Sequence, residues 1–442
     1  MSIPDVFVTA GKEVILTISL TKSISKLNEV EITYSRKDDP TVTNNEMLTV
    51  SSRSFNLEDT KKYAGSLGDP SRMAANFAGV VAGNDSRNDI VVRGNSPNAI
   101  LWQLEGINIP NPNHFGSKCN SGGPVSILNS NNLAKSDFFT SAFPAQYGNA
   151  IGGIFDVQLR EGNNQKNEFV PQIGLNGFEL GAEGSFSKTS KGSYLINYSY
   201  STLGLFDAIG ISFGTGGAIP LYQDLNFKAV FPTKGNGKLS FFGMGGISSI
   251  DFFGKDVDTT EVDYYSEPDE NLSLRYNIGI AGVSYEKTIR TKTFLKATLG
   301  YSIKNDNYKI DSVSLTSDNT FPEAKGTFYD GKYSAVLTIN HKINAKNSIN
   351  AGLNHDLRVI NFNNKDFENG IERVFVDQKD NVNLSQGFVQ FKHRFDARLT
   401  LVLGLHSQYF DLNDQIVAEP RVGLKYLIDE NSSLSAGYGL HH

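Results

Sequence analysis

Gly210-Ile211-Ser212-Phe213-Gly214 has the spacing of a nucleophile elbow, in which a serine is held on a sharp strand-to-helix turn. Thr215-Gly216-Gly217-Ala218-Ile219-Pro220 follows it and cannot start a helix, so Ser212 is not expected to act as a nucleophile. His114, His341, His355, His393, His406, His441 and His442 show no metal-helix spacing. Cys119 is the single cysteine, which excludes an internal disulfide framework and a cysteine-based zinc site. No phosphate loop or dinucleotide fingerprint occurs. One stretch is chemically distinctive. Asp251, Asp256, Asp258, Glu261, Asp263, Glu267, Asp269 and Glu270 face only Lys255 between positions 251 and 270. This reads as a solvated loop. The sharper alternative is repulsion of anionic surface lipid or binding of a divalent cation, because hard cations take carboxylate oxygens. Asp256, Asp258 and Glu261 are its weak metal candidates. No enzyme chemistry and no cofactor are expected beyond that loop-bound cation.

The elements around these residues read differently in the two halves of the chain. Downstream of about residue 166 the sequence alternates. In 333–340 Tyr333, Ala335, Leu337 and Ile339 alternate with Ser334, Val336, Thr338 and Asn340. In 295–304 Leu295, Ala297, Leu299, Tyr301 and Ile303 alternate with Lys296, Thr298, Gly300, Ser302 and Lys304. Period two assigns one set to each face of a sheet. Strands are expected at 167–175, 178–187, 192–200, 221–231, 237–248, 271–290, 293–310, 326–341, 347–360, 383–396, 398–410, 419–428 and 432–440. Many are longer than strands of soluble proteins and suit a tilted membrane crossing.

Loop length is sorted. Tight polar turns such as Lys234-Gly235-Asn236-Gly237 and Asn344-Ala345-Lys346-Asn347 alternate with longer connections at 201–220, 248–270, 311–325, 361–382 and 411–418. That is the layout of an outer-membrane barrel, and a soluble sandwich has no reason for it. No apolar run reaches the length of a membrane helix, and mean hydropathy is −0.29, so a spanning structure must be a closed sheet. The 29 Phe and 18 Tyr far outnumber the one Trp, and several sit near strand ends as an interfacial girdle requires. A net charge of −6 gives no basic footprint for nucleic acid.

Upstream, residues 46–165 read as a small α+β domain. Asp69-Pro70 is a helix start, with Asp69 as N-cap and proline at the first helical position. Ala99 to Leu104 and Glu105 to Ile109 read as a hairpin, and Asn108 to Pro124 as an exposed loop rich in Pro, Asn and Gly. Val92-Arg93-Gly94, Leu104-Glu105-Gly106-Ile107, Ala145-Gln146-Tyr147-Gly148 with Gly152-Gly153, and Val157-Gln158-Leu159-Arg160 follow in that order. Together they resemble the plug domain of a TonB-dependent outer-membrane receptor. Residues 1–23 look like the last hairpin of a carboxypeptidase-regulatory-like domain, which precedes the plug in one branch of that family. Within the 24–45 linker, Leu27-Asn28-Glu29-Val30-Glu31-Ile32-Thr33 is similar to the short energy-coupling TonB box. Glu419-Pro420-Arg421-Val422-Gly423-Leu424 resembles a barrel-strand motif of the same branch.

The resemblance implies a transmembrane antiparallel β-barrel with an N-terminal α+β plug. Residues 166–442 would be the first part of the barrel, with about 13 strands of the roughly 22 that a plug of this size needs. The chain thus reads as cut at both ends, with its signal peptide missing. Implied partners are outer-membrane lipid, a TonB-type energy-transducing protein, and a small-molecule, glycan or peptide ligand imported to the periplasm. The alternative is a plugged barrel that scaffolds a surface lipoprotein or secretion partner. Asn111, Asn113, His114 and Phe115, at the plug apex, are the expected ligand contacts. Arg93 would be a permanent charge inside the lumen and needs a carboxylate. Glu105 and the lumen-facing Glu419 are its expected partners in a lock between plug and wall.

Overall fold

The computed structural model describes residues 43–442, except 51, 64, 117–120, 175–176, 188–190, 205–217, 258–266, 315–316, 318, 430–431 and 442. The expected hairpin at 1–23 and the box at Leu27–Thr33 lie outside the described residues, as do Asp258 and Glu261.

The N-terminal region is a mixed α/β unit. Its elements are β1 (Ser52–Phe55), α1 (Leu57–Lys62), α2 (Pro70–Ala74), β2 (Val80–Ala82), β3 (Ile90–Val92), β4 (Ile100–Leu104), β5 (Ile107–Ile109), β6 (Asn113–His114), β7 (Val125–Ser126), β8 (Ser136–Phe139) and β9 (Gly153–Val157). Five strands form a sheet in the order β1-β8-β9-β4-β5, in which β4 and β9 run parallel. The helix start is legible locally. Asp69 accepts the amides of Ser71 and Arg72 at 2.7 and 3.0 Å, so two of the unsatisfied donors of α2 are capped. The sheet buries Trp102 stacked on Phe155, with ring centroids 4.1 Å apart, together with Phe55, Met73, Phe138 and Val157. Phe242, Met244 and Ile280 of the barrel join the same cluster, so the unit packs directly on the wall.

The wall is one antiparallel sheet of 13 strands in strict sequence order. They are β10 (Glu168–Gly174), β11 (Gly177–Ser185), β12 (Ser193–Tyr200), β13 (Leu221–Thr233), β14 (Gly237–Phe253), β15 (Glu270–Ile289), β16 (Thr293–Val313), β17 (Thr320–Lys342), β18 (Asn347–Glu368), β19 (Ile371–Arg394), β20 (Leu399–Phe410), β21 (Gln415–Leu427) and β22 (Ser433–Gly439). Its faces are inverted relative to a soluble sandwich. On β20, Leu403 and Leu405 are 46% and 45% exposed, whereas His406 is 1% exposed. On β21, Val422 and Leu424 point out while Glu419 and Arg421 are buried. The apolar set of the alternation faces outward and the polar set faces the plug, which is the arrangement a lipid environment stabilises.

Two expected loops are mostly strand. β18 continues to Glu368 and β19 resumes at Ile371. The intervening Asn369 and Gly370 have φ of +55° and +76°, the left-handed pair of a tight type I′ turn. The expected 311–325 loop is shortened in the same way by β16 and β17. Strands of 22 to 24 residues far exceed the roughly 9–11 needed to cross the hydrocarbon, so their distal halves project beyond the membrane on the long-loop side.

Candidate functional site at the plug and wall

The segment Phe143–Gly148 is held by its own backbone. Arg421 Nη1 donates to the carbonyl oxygens of Phe143, Pro144 and Tyr147 at 3.3, 2.6 and 2.7 Å. Its Nη2 pairs with Glu419 two residues away on β21. His406 Nδ1 donates to the Ala145 carbonyl at 2.8 Å, and the Ala145 amide donates to Gln390 Oε1 at 2.8 Å. Asn350 donates to the Gln146 side chain at 3.1 Å. Strands β18 to β21 therefore all grip one plug segment. A planar guanidinium with several fixed donors suits a cluster of carbonyls in this way. Gly148 fits closely at the contact: a Cβ there would fall on the Gln386 amide and 2.6 Å from His406 Nε2, so those side chains would have to shift.

A second attachment lies at the β4–β5 turn. Glu105 and Gly106 take φ of +52° and +94°, which aims the Glu105 side chain back under the sheet. Lys228 Nζ of β13 donates to Glu105 Oε1 at 2.6 Å and to the Leu159 carbonyl at 2.7 Å. Lys296 of β16 stands 3.7 Å from the other Glu105 oxygen. Burial alone would raise the Glu105 carboxyl. Lys228 and Lys296 overcome it and hold the group below its ordinary value. A third attachment is Arg160, which grips Glu183 of β11 with two nitrogens, at 2.5 and 2.9 Å. Lys304 and Lys332 add bonds to the plug carbonyls of Gly116 and Asn108, at 2.9 and 2.7 Å.

The expected lock is thus rearranged. Glu105 and Glu419 both lie at the plug–wall boundary, but each is paired with a wall cation. Arg93 is exposed on the turn after β3, with φ +52°, and its amide donates to the Gly79 carbonyl at 2.8 Å. That turn is completed by Gly94 at φ +80°. The expectation from sequence pairs the plug cation Arg93 with Glu105 of the plug or Glu419 of the wall. It missed Lys228, Lys296 and Arg421, wall cations that serve plug acceptors. Their signal was a Lys or Arg on the polar phase of an otherwise apolar alternation.

The apex residues are also redistributed. Asn111, Asn113 and His114 are buried. Asn111 donates to the Gly122 carbonyl at 2.8 Å. Asn113 accepts from Asn88 at 2.6 Å, and His114 Nε2 sits 3.3 Å from Asp224 of β13. These three hold the apex loop to itself and to the wall. Phe115 alone stays half-buried. It meets Tyr222 and Tyr276 edge-on at 6.4 and 5.9 Å, an aromatic floor on the long-loop side. Among the described residues no three His, Cys, Asp or Glu side chains gather as a metal site. Asp256 is described, exposed on a short turn after β14.

At the opposite, short-turn end, the first described residues form a strap. The amides of Asn44 and Asn45 donate to the two Asp137 oxygens, each at 3.1 Å. Lys392 Nζ of β19 donates to the Glu46 carbonyl at 2.7 Å. Behind the strap, the Tyr147 hydroxyl donates to Asp156 at 2.7 Å. Burial and the neighbouring Asp156 push the Asp137 carboxyl up to about 7, against the opposing pull of the two strap amides.

Residues 223–440 match the family model of the TonB dependent receptor-like β-barrel. No curated protein matches in sequence. In fold, the chain is similar to a mutant of the ferric enterobactin receptor PfeA of Pseudomonas aeruginosa, with TM-score 0.60 and 12% identity over 88% of this chain and 61% of that one. It is similar to the siderophore receptor PirA of Acinetobacter baumannii, with TM-score 0.60 and 12% identity over 88% and 60%. It is also similar to the pyoverdine outer membrane receptor FpvA of Pseudomonas aeruginosa bound to pyoverdine, with TM-score 0.63 and 12% identity over 88% and 62%. The chain spans about three fifths of the length of these structures. The 13-strand antiparallel sheet thus matches the barrel wall of TonB-dependent receptors in fold, and the small mixed α/β unit on its inner face resembles their plug.

Proposed function

We propose that the chain forms the plug and part of the wall of an energy-driven outer-membrane importer. A nutrient ligand binds on the long-loop side, where Phe115 and Tyr276 offer an aromatic floor. A TonB-type protein pulls the N-terminal segment from the periplasmic side and rearranges the plug. No covalent chemistry is assigned to it. The observation that carries this reading is the way Phe143–Tyr147 is attached. It is held by hydrogen bonds from Arg421 and His406 to backbone carbonyls, contacts that water can replace one by one as the segment moves. The alternating residues at 5–20 support placing the chain in the branch with a preceding carboxypeptidase-regulatory-like domain.

The test is uptake across a panel of ferric chelates, cobalamin, glycans and peptides, with and without the energy-transducing partner. Deleting Leu27 to Thr33 should abolish uptake and leave surface binding intact, because the segment is joined to the strap by a short polar linker. Import at the normal rate in the deletion variant would end the energy-coupled reading.

A further inference from the structure

A cavity of about 620 Å³ opens at the short-turn end, between the underside of the plug and strands β15 to β19. That volume is within the range of small-molecule sites. Its wall carries six cations, Lys292, Lys296, Lys342, Lys346, Lys392 and Arg394, against two carboxylates, Glu46 and Asp156. The charges are unevenly matched. Asp156 is taken by the Tyr147 hydroxyl and the Gln158 amide at 2.7 and 2.9 Å. Lys296 is met by Glu286 at 3.1 Å and Glu105 at 3.7 Å. Lys292 and Lys346 donate to the backbone carbonyls of Ile343 and Phe395 instead, at 3.4 and 3.1 Å. Among the described residues none of Lys292, Lys342, Lys346 and Arg394 makes a salt bridge to a carboxylate; Asp396, exposed on the turn after β19, is the acid whose charge Lys346 feels. A cleft with one sign of charge and low-dielectric walls concentrates the opposite ion.

The plug bounds this cavity at its inner end and crosses it at its mouth. The inner end stops where Gly148 lies against Gln386 and His406. At the mouth runs the strap, tied to Asp137 through Asn44 and Asn45. There Glu46 gives Lys392 its backbone carbonyl at 2.7 Å, with its carboxylate 3.9 Å away. Glu46 is thus the acid nearest Lys392, and it sits on the first described segment that a pull on the N-terminus would reach.

We propose that this cavity is the exit vestibule for an anionic ligand, and that residues Asn44 to Met47 are its stopper. The proposal rests on the importer reading and deepens it by naming the charge of the cargo. Removing the strap withdraws Glu46, frees Lys392 and leaves a cationic passage facing the periplasm.

The test uses the purified full chain with Cys119→Ser and a reporter thiol from Thr338→Cys, a position lining the cavity. The probes are an anionic sulfonatoethyl and a cationic trimethylammonioethyl methanethiosulfonate. Relative to a free thiol, the ratio of anionic to cationic rates should rise at least about fivefold, as expected for a local potential of one or more kT. Lys392→Gln with Arg394→Gln should bring that ratio back toward the free-thiol value, while Lys365→Gln, remote from the cavity, should not. Asp137→Ala, which releases the strap, should accelerate both reagents. Asn340→Cys serves as a second reporter, and protease resistance of the plug confirms that each variant is folded. A free-thiol ratio at both reporters, or a ratio indifferent to the paired Gln substitutions, overturns the anionic vestibule. Strap release without acceleration overturns the stopper. The labelling needs neither the ligand nor the energy-transducing protein, so it can fail while uptake stands, and the reverse.

Discussion

Arg421 concentrates more of the plug–wall attachment than any acid the sequence suggested. One guanidinium satisfies three plug carbonyls and Glu419. Removing one partner of a buried ion pair typically costs about 3–5 kcal/mol. Arg421→Gln should therefore loosen Phe143–Tyr147 and speed proteolysis of the plug, while Arg421→Lys should recover only part of the wild-type resistance because it lacks the fork. Unchanged proteolysis in Arg421→Gln would move the attachment elsewhere. Asp137 makes a second prediction at this scale. Its carboxyl is raised to about 7 by burial, with Asp156 adding to the rise and the strap amides and Lys135 opposing it. A carboxyl raised in the fold favours the protonated form. Its stabilising contribution is complete below the unfolded value of about 4 and is lost as pH rises through about 7. Asp156 is raised as well and acts in the same direction, whereas Glu105 is lowered and titrates below this window. The strap amides pull the other way, so the docked strap favours the ionised Asp137; the strap itself should be less protected from protease at pH 5.5 than at pH 8, and Asp137→Asn should flatten the difference. Glu105 and Glu419 could be picked from the sequence because an acid at a tight turn, or on the inward phase of a strand, stands out. The partners of Glu105 could not, since Lys228 and Lys296 lie more than a hundred residues away and leave no local mark; Arg421 stands two residues from Glu419, and what has no local mark is its reach to the plug carbonyls.

Elements were legible where a single physical constraint acts along them. All 13 wall strands follow from period-two alternation, since lipid on one face and plug on the other impose it continuously. The pattern fails in 361–382, where Asn, Asp and Lys dominate. There β18 and β19 have risen clear of the membrane, both faces are wetted, and nothing selects an apolar phase. The only remaining signal was Asn369-Gly370, a hairpin dipeptide. The segment Ala145-Gln146-Tyr147-Gly148 stood out by its glycines, and the structure gives the reason at Gly148. Its missing side chain lets the plug backbone lie against β19 and β20. Gly148→Val inserts methyl groups where Gln386 and His406 already stand, and overpacking of this kind costs about 1–3 kcal/mol. The loop should lift from the wall and break the Ala145–His406 bond. Outer membranes carrying the variant should admit small antibiotics faster than wild type. Equal permeability would mean that the wall side chains yield and the seal survives.

At the scale of the molecule, two differently built bodies share one interface. The wall is held by continuous backbone pairing, with 20 paired positions between β15 and β16 alone. The plug is a small sheet whose core is completed on one side by Phe242, Met244 and Ile280 of the wall and which is otherwise attached by separate polar contacts involving Arg421, His406, Lys228, Arg160, Lys304 and Lys332. Denaturant solvates peptide groups and apolar surface alike, so the body with fewer cooperative contacts should yield first. The two-state approximation should fail here, as it does for chains with separable units. Trp102 is the only tryptophan and it is stacked inside the plug on Phe155, so its fluorescence reports that body alone, whereas far-ultraviolet circular dichroism is dominated by the wall strands. In detergent, the tryptophan transition should fall at a lower urea concentration than the loss of β signal, and Arg421→Gln should shift the first without moving the second. Coincident transitions would instead mean that plug and wall unfold as one unit. A plug that cannot come loose without destroying the barrel could not be rearranged reversibly by a pull on its N-terminus.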